Sequence, residues 1–576
     1  MSLTAFSIAN FKAFAATQRV PLRPITLIYG ANSSGKSSAI HALALAHHAV
    51  ETGDLDVQRT GIGGESLDLG GFRQYVHRRE QNRDVKLGFE LDPTGLYTNL
   101  PDSLDLANKI EAELAVGEED GGAQNSSSDV RTRNVFLRHF VLKIDDAELL
   151  SVSARRGTQM GIDRIDHEHP ILRDLFRRRL LQVTQTRESL DEDFANHFPG
   201  MLNLLVPNIA AGARGLFPRI ERELTGNDLY RTRRVDTVRA FIPVDALSDL
   251  VEGVGGSFEN EIRRLSYLGP LRSYPSRHLA YSQHDDPNRY AGGGYAWEVV
   301  RDNPEVRFLV NEWLTDSERL KTPYELQVHD LLQADMVSGE IPAKLRKAMH
   351  DLLASLLSRM DARELIDLKI LAERVARQIS GLATEDERDS IPGIEELLSS
   401  MSDEVEISER WVEEMVAARS EALQQLVLID KRTGTPVSHR DIGIGVSQVL
   451  PVLVSAYASK NRLLAIEQPE IHLHPALQAE LGDVFLESAL GDNENTFLIE
   501  THSEHLLLRI MRRMRETSTG EKNDRSQEVH PEDIMVLFVE PDGPQSIIRE
   551  MPLNEHGELV KAWPGGFFEE GIREIF

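Results

Sequence analysis

A glycine-rich segment near the amino terminus constrains what this chain can fold into more than any other part of its sequence. The segment runs from Gly30 to Ser37 and reads GANSSGKS, with the apolar run Ile25 to Tyr29 before it and an alanine-rich stretch after it. Glycines let backbone N–H groups close around phosphate oxygens, and a helix that begins here adds a favourable dipole. The pattern therefore predicts a strand, a phosphate-binding loop and a helix in direct succession.

The residues of this loop have distinct expected roles in holding ATP and Mg²⁺. Lys36 is expected to reach the β and γ phosphates, and Ser37 is expected to be a ligand of Mg²⁺. The alternative is a glycine-rich turn beside a surface lysine, which would require neither the strand nor the helix. The residues predicted to contact the nucleotide are Gly30, Asn32, Ser33, Ser34, Gly35, Lys36, Ser37 and Ser38.

Two later apolar runs each end in polar residues. The run Leu463 to Ile466 leads into Glu467, Gln468 and Glu470, and Thr496 to Ile499 is followed shortly by His502. An acid at the end of a buried strand can face a metal ion, so Glu467 is predicted to hold Mg²⁺ opposite Ser37. His502 is predicted to contact the γ phosphate or to orient the attacking water. The alternatives are an acidic helix start and a structural histidine.

A second segment with the features of an anion-binding site precedes the apolar run that begins at Leu463. It runs from Gly443 to Gln448, and it places Gly445 and Ser447 at the expected start of a helix. One ATP site needs only one phosphate loop. We therefore expect Gly445 and Ser447 to meet the γ phosphate bound by a second copy, which predicts a homodimer closed around ATP. An ordinary helix cap is the alternative.

The composition excludes several classes of protein. Lys and Arg total 64 against 92 Asp and Glu, a net charge of −28, which argues against a surface coated for indiscriminate nucleic-acid binding. The absence of cysteine excludes disulfides and thiol catalysis. No secretory signal or membrane-spanning run is visible, so we expect a cytoplasmic protein without a membrane partner.

The distribution of strand-like and helix-like patterns predicts an α/β protein. Strand patterns occur at both chain ends, and helical patterns dominate between them. We predict a mixed sheet with flanking helices, divided into an N-terminal ATPase lobe at 1–155, a mostly helical insertion at 156–422, and a C-terminal lobe with a short tail at 423–576.

The order of these segments resembles the ABC-type ATPase heads of the structural-maintenance-of-chromosomes (SMC) and overcoming-lysogenisation-defect (OLD) group. In that comparison Gly30 to Ser37 is Walker A, Gly443 to Gln448 is the signature, Leu463 to Glu470 is Walker B and His502 is the switch histidine. Several short sequence motifs resemble those of AAA-type ATPases of the OLD group, which are found in bacterial anti-phage operons. These are Asn10 to Phe14 (NFKAF), Leu268 to Arg272 (LGPLR), Gly445 to Pro451 (GVSQVLP), Glu467 to Pro475 (EQPEIHLHP) and Trp563 to Phe568 (WPGGFF).

The resemblance implies an ABC-type P-loop ATPase head formed by both chain ends. It also implies that Gln74 is a Q-loop glutamine and that Lys12 lies over the nucleotide, although both also fit an exposed turn. Gln468 stands where such heads carry the water-polarising glutamate, so we expect slow hydrolysis or a base supplied by Glu470. The nuclease domain of OLD proteins needs paired acids that Glu540 to Gly543 lacks, so no intrinsic nuclease is predicted.

These features favour an ATP-gated subunit that regulates or recruits a separate effector, a nuclease, in anti-phage defence. DNA binding is left open, and a helix face with Arg509, Arg512, Arg513 and Arg515 fits DNA, an acidic partner or plain solvation. The alternatives are an SMC-like DNA-repair or chromosome-maintenance ATPase and a nucleotide-dependent scaffold that does not hydrolyse ATP. The absence of an LSGGQ spelling disfavours a transporter ATPase.

Overall fold

The structure is a computed structural model that describes residues 3–95, 104, 107–118, 135–156, 159–184, 210–212, 215–221, 234–272, 288–317, 319–331, 423–437, 444–521 and 527–567. The strands in these ranges are β1 (Leu3–Ala9), β2 (Gln18–Pro21), β3 (Ile25–Gly30), β4 (Val85–Leu91), β5 (Ile110–Glu118), β6 (Val135–Ile144), β7 (Ala147–Arg156), β8 (Gln159–Ile165), β9 (Ala210–Gly212), β10 (Arg219–Glu221), β11 (Leu265–Leu268), β12 (Tyr324–Leu331), β13 (Leu423–Asp430), β14 (Thr435–Val437), β15 (Leu463–Glu467), β16 (Thr496–Glu500), β17 (Ile534–Asp542) and β18 (Gln545–Glu550). The helices are α1 (Lys36–Thr52), α2 (Phe72–Tyr75), α3 (Pro170–Thr184), α4 (Arg234–Arg263), α5 (Gly294–Asp302), α6 (Pro304–Thr315), α7 (Ile444–Ala458), α8 (Pro475–Leu490) and α9 (Glu504–Thr519).

A six-stranded sheet with the order β11-β15-β16-β3-β17-β18 carries the segments singled out in the sequence. Its first five strands are parallel, and β18 pairs antiparallel with β17. All residues of β3, β15 and β16 are buried, which suits parallel strands covered on both faces. Strand β16 separates β3 from β15, so the carboxyl ends of all three meet at one edge.

A nine-stranded antiparallel sheet has the order β10-β9-β8-β7-β6-β5-β4-β1-β2. Strands β8 to β10 of this sheet, and β11 of the six-stranded sheet, lie inside the segment predicted as a mostly helical insertion. The sheets that carry the two chain ends therefore draw on part of that segment. The divisions at residues 155 and 422 stay a prediction, and 332–422 lies outside the described residues.

Helix α4 shows why the middle of the chain has a helical sequence pattern. Its buried residues recur three or four positions apart, as in Leu247, Leu250, Val254 and Phe258, which places them on one face. Phe258 stacks on Phe217 with ring centroids 5.5 Å apart, inside a large core shared with β4 to β8 and α1. The apolar stripe thus packs the helix against the nine-stranded sheet.

The C-terminal tail packs aromatic rings against the phosphate-loop strand. Trp563 lies 5.4 Å from the Tyr29 ring and 5.7 Å from the Phe538 ring, between centroids. Phe567 adds an edge contact to Phe538 at 5.3 Å, and Phe568 lies outside the described residues. The two ends of the chain are therefore brought together by β3, β17 and this tail.

The chain forms two compact units, of which the first comprises Met1–Arg277, Gln283–Leu326 and Leu428–Phe576 and the second comprises His278–Ser282 and Gln327–Val427. All the sites below lie in the first unit. Among the described helices none combines the length and apolar character needed to cross a bilayer.

Candidate functional site

The loop between β3 and α1 has a backbone that only glycine accommodates at two positions. Gly30 has φ 148° and Gly35 has φ 96°. A Cβ atom at Gly30 would lie 2.3 Å from the Val539 carbonyl oxygen, and one at Gly35 would lie 2.4 Å from the Ala13 Cβ. At both positions a side chain is therefore excluded for two reasons: the positive φ angle is unfavourable for other residues, and a Cβ atom would clash with a neighbouring residue.

Lys36 lies inside this loop at the first turn of α1. Its ammonium group donates hydrogen bonds to the carbonyl oxygens of Gly30, at 3.0 Å, and Ala31, at 2.9 Å. The side chain is 4 % exposed, and its Nζ lies 3.9 Å from Glu500 Oε1. Burial lowers the pKa of Lys36, while the Glu500 carboxylate opposes that shift. The position fits a cation that contacts phosphates bound by the loop.

The acid hydrogen-bonded to Ser37 is Glu500, which the sequence analysis did not single out. Ser37 Oγ donates to Glu500 Oε2 at 2.6 Å. Glu467 ends the next strand along, in register with Glu500, and its Oε1 accepts the Tyr267 hydroxyl at 3.0 Å and lies 3.3 Å from His41 Nε2. Ser37 contacts Glu500 rather than Glu467 because β16, which ends in Glu500, lies between β3 and β15 in the sheet.

The two carboxylates at these strand ends are electrostatically suited to a divalent cation. Burial, reinforced by the charge of Glu467, raises the pKa of Glu500 to about 7. Two buried acids side by side disfavour double ionisation unless a positive charge lies between them. Carboxylate and hydroxyl oxygens are also the ligands that Mg²⁺ prefers. Ser37, Glu467 and Glu500 thus form a donor set that fits Mg²⁺.

Gln468, Glu470 and His502 lie together just beyond these strand ends. Gln468 has a left-handed backbone, φ 45°, and its N–H donates to the Glu500 carbonyl at 2.7 Å. Glu470 Oε1 accepts the His502 backbone N–H at 2.7 Å, whereas its buried Oε2 has no hydrogen-bond partner among the described residues. Burial raises the pKa of Glu470 and lowers that of His502.

Arg272 links helix α7 to the end of β15. Its guanidinium donates to the carbonyl oxygens of Gln448 at 3.1 Å, Glu467 at 3.1 Å and Gln468 at 3.2 Å. The Gln448 amide donates back to the Arg272 carbonyl at 3.2 Å. Burial lowers the pKa of Arg272 to about 10, so it stays charged at neutral pH. The LGPLR segment therefore supplies a buried connection between helix α7 and the end of β15.

The predicted second anion-binding segment is only partly described. Gly443 lies outside the described residues, and Gly445 and Ser447 lie in the first turn of α7. Ser447 is 1 % exposed, so a contact with nucleotide on a second copy requires this side chain to become accessible. The role of Gly445 and Ser447 in a second copy's site stays a prediction.

Lys12 and Gln74 line one cavity of about 550 Å³, together with Asp68, Arg78 and Arg79. Lys12 Nζ lies 2.5 Å from His41 Nδ1, which joins it to Glu467 through the other ring nitrogen. Burial lowers the pKa of Lys12 to about 8. The structure thus brings both weakly predicted residues to one cavity, although it does not test their contact with nucleotide.

The arginines of helix α9 differ in their environment. Arg509 pairs with Glu480 and Asp483, and Arg513 pairs with Asp483 and Glu516. Their side chains are 15 % and 11 % exposed, so neither is a solvated cation available to DNA. Among the described residues no group of three or more His, Cys, Asp or Glu side chains is arranged to hold a metal ion.

Residues 259–509 match an AAA domain family. The family is described as "AAA domain, putative AbiEii toxin, Type IV TA system", and the match covers under half of the chain. It includes helix α7 and strands β15 and β16, which carry the predicted signature, Walker B and switch segments. No curated protein matches this sequence.

Several solved structures similar to this chain are SMC heads. An SMC head bound to the C-winged helix domain of ScpA is 8 % identical over 96 % of this chain and 98 % of its own, with TM-score 0.33. The Pyrococcus furiosus SMC head with an extended coiled coil, bound to the C-terminal domain of ScpA, is 8 % identical over 100 % of this chain and 98 % of its own, with TM-score 0.33. The Thermotoga maritima SMC head is 8 % identical over 96 % of this chain and 100 % of its own, with TM-score 0.32. Similarity at this level does not define a fold by itself.

The structure is an α/β fold in which a mixed six-stranded sheet with flanking helices is formed by both chain ends and includes the strand before the glycine-rich loop. This confirms the predicted fold class. Sequence reasoning missed four side chains of the site: His41, Tyr267, Arg272 and Glu500. Glu500 could have been found, because it ends a buried strand as Glu467 does, whereas the other three depend on contacts between distant segments.

Proposed function

We propose that this chain binds ATP with Mg²⁺ at the β3–α1 loop and hydrolyses it slowly. The observation that carries the proposal is the meeting of Lys36 and Ser37 with Glu500, with Glu467 on the adjacent strand end. A loop of backbone N–H groups, a lysine, a hydroxyl and two acids supply all the polar groups that a nucleoside triphosphate and its metal need. The AAA domain match supports the same activity.

Each group has a defined place in that proposal. Loop N–H groups and Lys36 bind phosphate oxygens, and Ser37, Glu500 and Glu467 would hold Mg²⁺. When bound, Mg²⁺ neutralises charge on the phosphates. Lys12 and Gln74 face the nucleotide from their cavity.

Residues that follow β15 and β16 position and deprotonate the attacking water. Gln468 can orient a water molecule but cannot accept its proton, so hydrolysis is slow. Glu470 is the proposed base, because its Oε2 has no other hydrogen-bond partner among the described residues and burial raises its pKa. His502, which burial keeps neutral, contacts the γ phosphate or the water.

The same proposal extends to assembly and partners. Two copies close around ATP through Gly445 and Ser447, and Arg272 transmits that closure to the ends of β15. The closed state then regulates a separate effector, a nuclease, in anti-phage defence. The family description supports this role, since it names a toxin of a toxin–antitoxin system.

One observation favours a second candidate, a nucleotide-dependent scaffold without turnover. Gln468 has the strained left-handed backbone that often marks a functional position, yet its amide is not a base. An SMC-like DNA-maintenance role is less favoured, because the net charge is −28 and Arg509 and Arg513 are already paired.

The test compares Lys36→Ala with Lys86→Ala, a change at an exposed lysine of β4. Calorimetric titration with ATP and Mg²⁺ should show binding by the parent and Lys86→Ala and no binding by Lys36→Ala. Unchanged affinity in Lys36→Ala would refute the site. Binding without phosphate release would favour the scaffold over the ATPase.

A further inference from the structure

A second cavity, of about 540 Å³, lies at the β11 edge of the six-stranded sheet. None of its lining residues belongs to the phosphate-binding loop. It follows the backbones of β11 and β15 and reaches helix α1 at His47 and helix α7 at Ser455. Its volume falls in the range that small-molecule sites occupy, roughly 300–1,000 Å³.

Two tyrosines give this cavity an aromatic wall. Tyr290 and Tyr295 have ring centroids 5.9 Å apart, and Tyr290 is 53 % exposed. Ser455 donates its hydroxyl to the Pro451 carbonyl at 2.6 Å, so Tyr295 is the donor in its 2.5 Å contact with Ser455 Oγ. Tyr295 is thereby held in place, while Tyr290, which has the Arg289 guanidinium 5.8 Å from its ring centroid, is about half exposed and leaves ring surface on which a planar group can stack.

Two exposed cations that line the cavity lack acidic partners within the described part of the chain. Arg263, which also lines it, pairs with Glu51 at 2.9 Å. By contrast, Lys460 and Arg462 are exposed, and neither has a carboxylate within 4.0 Å among the described residues. The Arg462 guanidinium donates a hydrogen bond to the Arg263 carbonyl at 3.3 Å. Neighbouring unpaired cations favour an anion between them, and a phosphate is the group that suits both.

Tyr267 connects the cavity to the ATPase site. Tyr267 is one of the residues that line the cavity, and its hydroxyl donates to Glu467 Oε1 at 3.0 Å. Tyr267 and Glu467 lie on the same face of neighbouring parallel strands, because Tyr267 pairs with Ala465, two residues before Glu467. A ligand that contacts the Tyr267 ring therefore acts on a side chain bonded to a predicted metal ligand.

We propose that this cavity binds a small anion with a planar ring, of the class of free nucleoside monophosphates, and that Tyr267 couples its occupancy to the Mg²⁺·ATP site. The phosphate lies between Lys460 and Arg462, and the base stacks on Tyr290. Binding in the cavity is independent of the proposed ATPase function, whereas the coupling rests on it.

The first experiment uses Lys36→Ala, so that the phosphate loop does not contribute, and AMP as the probe. Calorimetric titration should show binding that Arg462→Glu, added to Lys36→Ala, weakens at least about tenfold. Lys86→Glu, the same charge change on β4, should leave the affinity unchanged. Absence of AMP binding, or equal affinity in the Arg462→Glu variant, overturns the proposal. Inorganic phosphate binding as tightly as AMP overturns recognition of the ring, and tighter binding of a 5′-phosphorylated DNA oligonucleotide overturns the assignment to a free nucleotide.

The second experiment tests coupling in the full chain with an intact loop. Saturating AMP should change the affinity for a non-hydrolysable ATP analogue with Mg²⁺ several-fold beyond the effect of simple competition. Tyr267→Phe should retain AMP binding but lose this effect, because the ring remains while the hydroxyl to Glu467 is removed. An unaltered effect in Tyr267→Phe overturns the role of Tyr267. Failure of the ATP site itself would appear as no analogue binding in the parent without AMP, an outcome distinct from failure of the cavity.

Discussion

Replacing Glu500 by Gln should stabilise the nucleotide-free protein and remove most of the stabilisation that Mg²⁺·ATP provides. Glu500 is 5 % exposed and lies beside Glu467, and these surroundings raise its pKa from 4.5 to about 7. The folded state therefore binds this proton more tightly than the unfolded state. Stability of the parent should rise as the pH falls from about 8 toward about 5, because folding no longer requires a buried charge.

The pKa difference sets the size of the effect. At about 1.4 kcal/mol per pKa unit, keeping Glu500 ionised costs about 3 kcal/mol at pH 8 and under about 1 kcal/mol at pH 5. Gln carries no charge but can still accept the hydrogen bond from Ser37. Glu500→Gln should therefore gain up to about 3 kcal/mol at pH 8 and little at pH 5. The pKa of about 7 already includes the attraction of Lys36, whose Nζ lies 3.9 Å from Glu500 Oε1, so losing that attraction does not reduce this gain further.

The stabilisation that bound Mg²⁺·ATP provides should be smaller in Glu500→Gln than in the parent. A ligand at about a hundredfold excess over its Kd stabilises the folded protein by about 2.7 kcal/mol. The parent should show this increment with Mg²⁺·ATP, and Glu500→Gln should lose most of the magnesium-dependent part because a carboxylate ligand is gone.

Urea unfolding at pH 8 and pH 5, with and without Mg²⁺·ATP, measures both effects. Glu555→Gln, which removes an exposed acid from a surface turn, is the matched control and should change neither. A variant that is less stable than the parent at pH 8, or equally shifted at both pH values, would refute the electrostatic reasoning. Full retention of the Mg²⁺·ATP increment would refute Glu500 as a metal ligand.

Three further substitutions test the rest of the site. Glu470→Gln should lower ATP turnover by about 10²- to 10⁴-fold with little change in ATP affinity if Glu470 is the base; turnover at the parental rate would assign the water to another group. Ser447→Ala, which fits the buried position, should leave nucleotide binding by the monomer intact and weaken ATP-dependent dimers in light scattering, whereas a dimer mass indifferent to ATP and to this change would contradict closure around ATP. Arg272→Met should cost about 2–4 kcal/mol in urea unfolding, because it leaves buried carbonyl oxygens unpaired, and Arg272→Lys should recover only part of that loss since it lacks the forked geometry; a variant as stable as the parent would show that the buried link is not needed.

The sequence by itself determined the parts of the fold that depend on local backbone requirements. The glycines at Gly30 and Gly35, the buried runs of β3, β15 and β16, and the helix at Lys36 follow from residues that are neighbours in the chain. The turn at Gly434 between β13 and β14, which pair antiparallel, is likewise formed by neighbouring residues. Such features need only a few consecutive residues of the right size and conformational freedom, which a reading along the chain detects.

Only the tertiary structure decided which side chains meet. The sheet order places β16 beside β3, so Glu500 rather than Glu467 is bonded to Ser37, and no local pattern distinguishes these two acids. Tyr267 and Arg272 reach β15 from nearly two hundred residues away along the chain. Parallel pairing and side-chain contacts between distant segments depend on how whole elements pack, and hydrophobic periodicity does not encode the order in which buried parallel strands lie side by side.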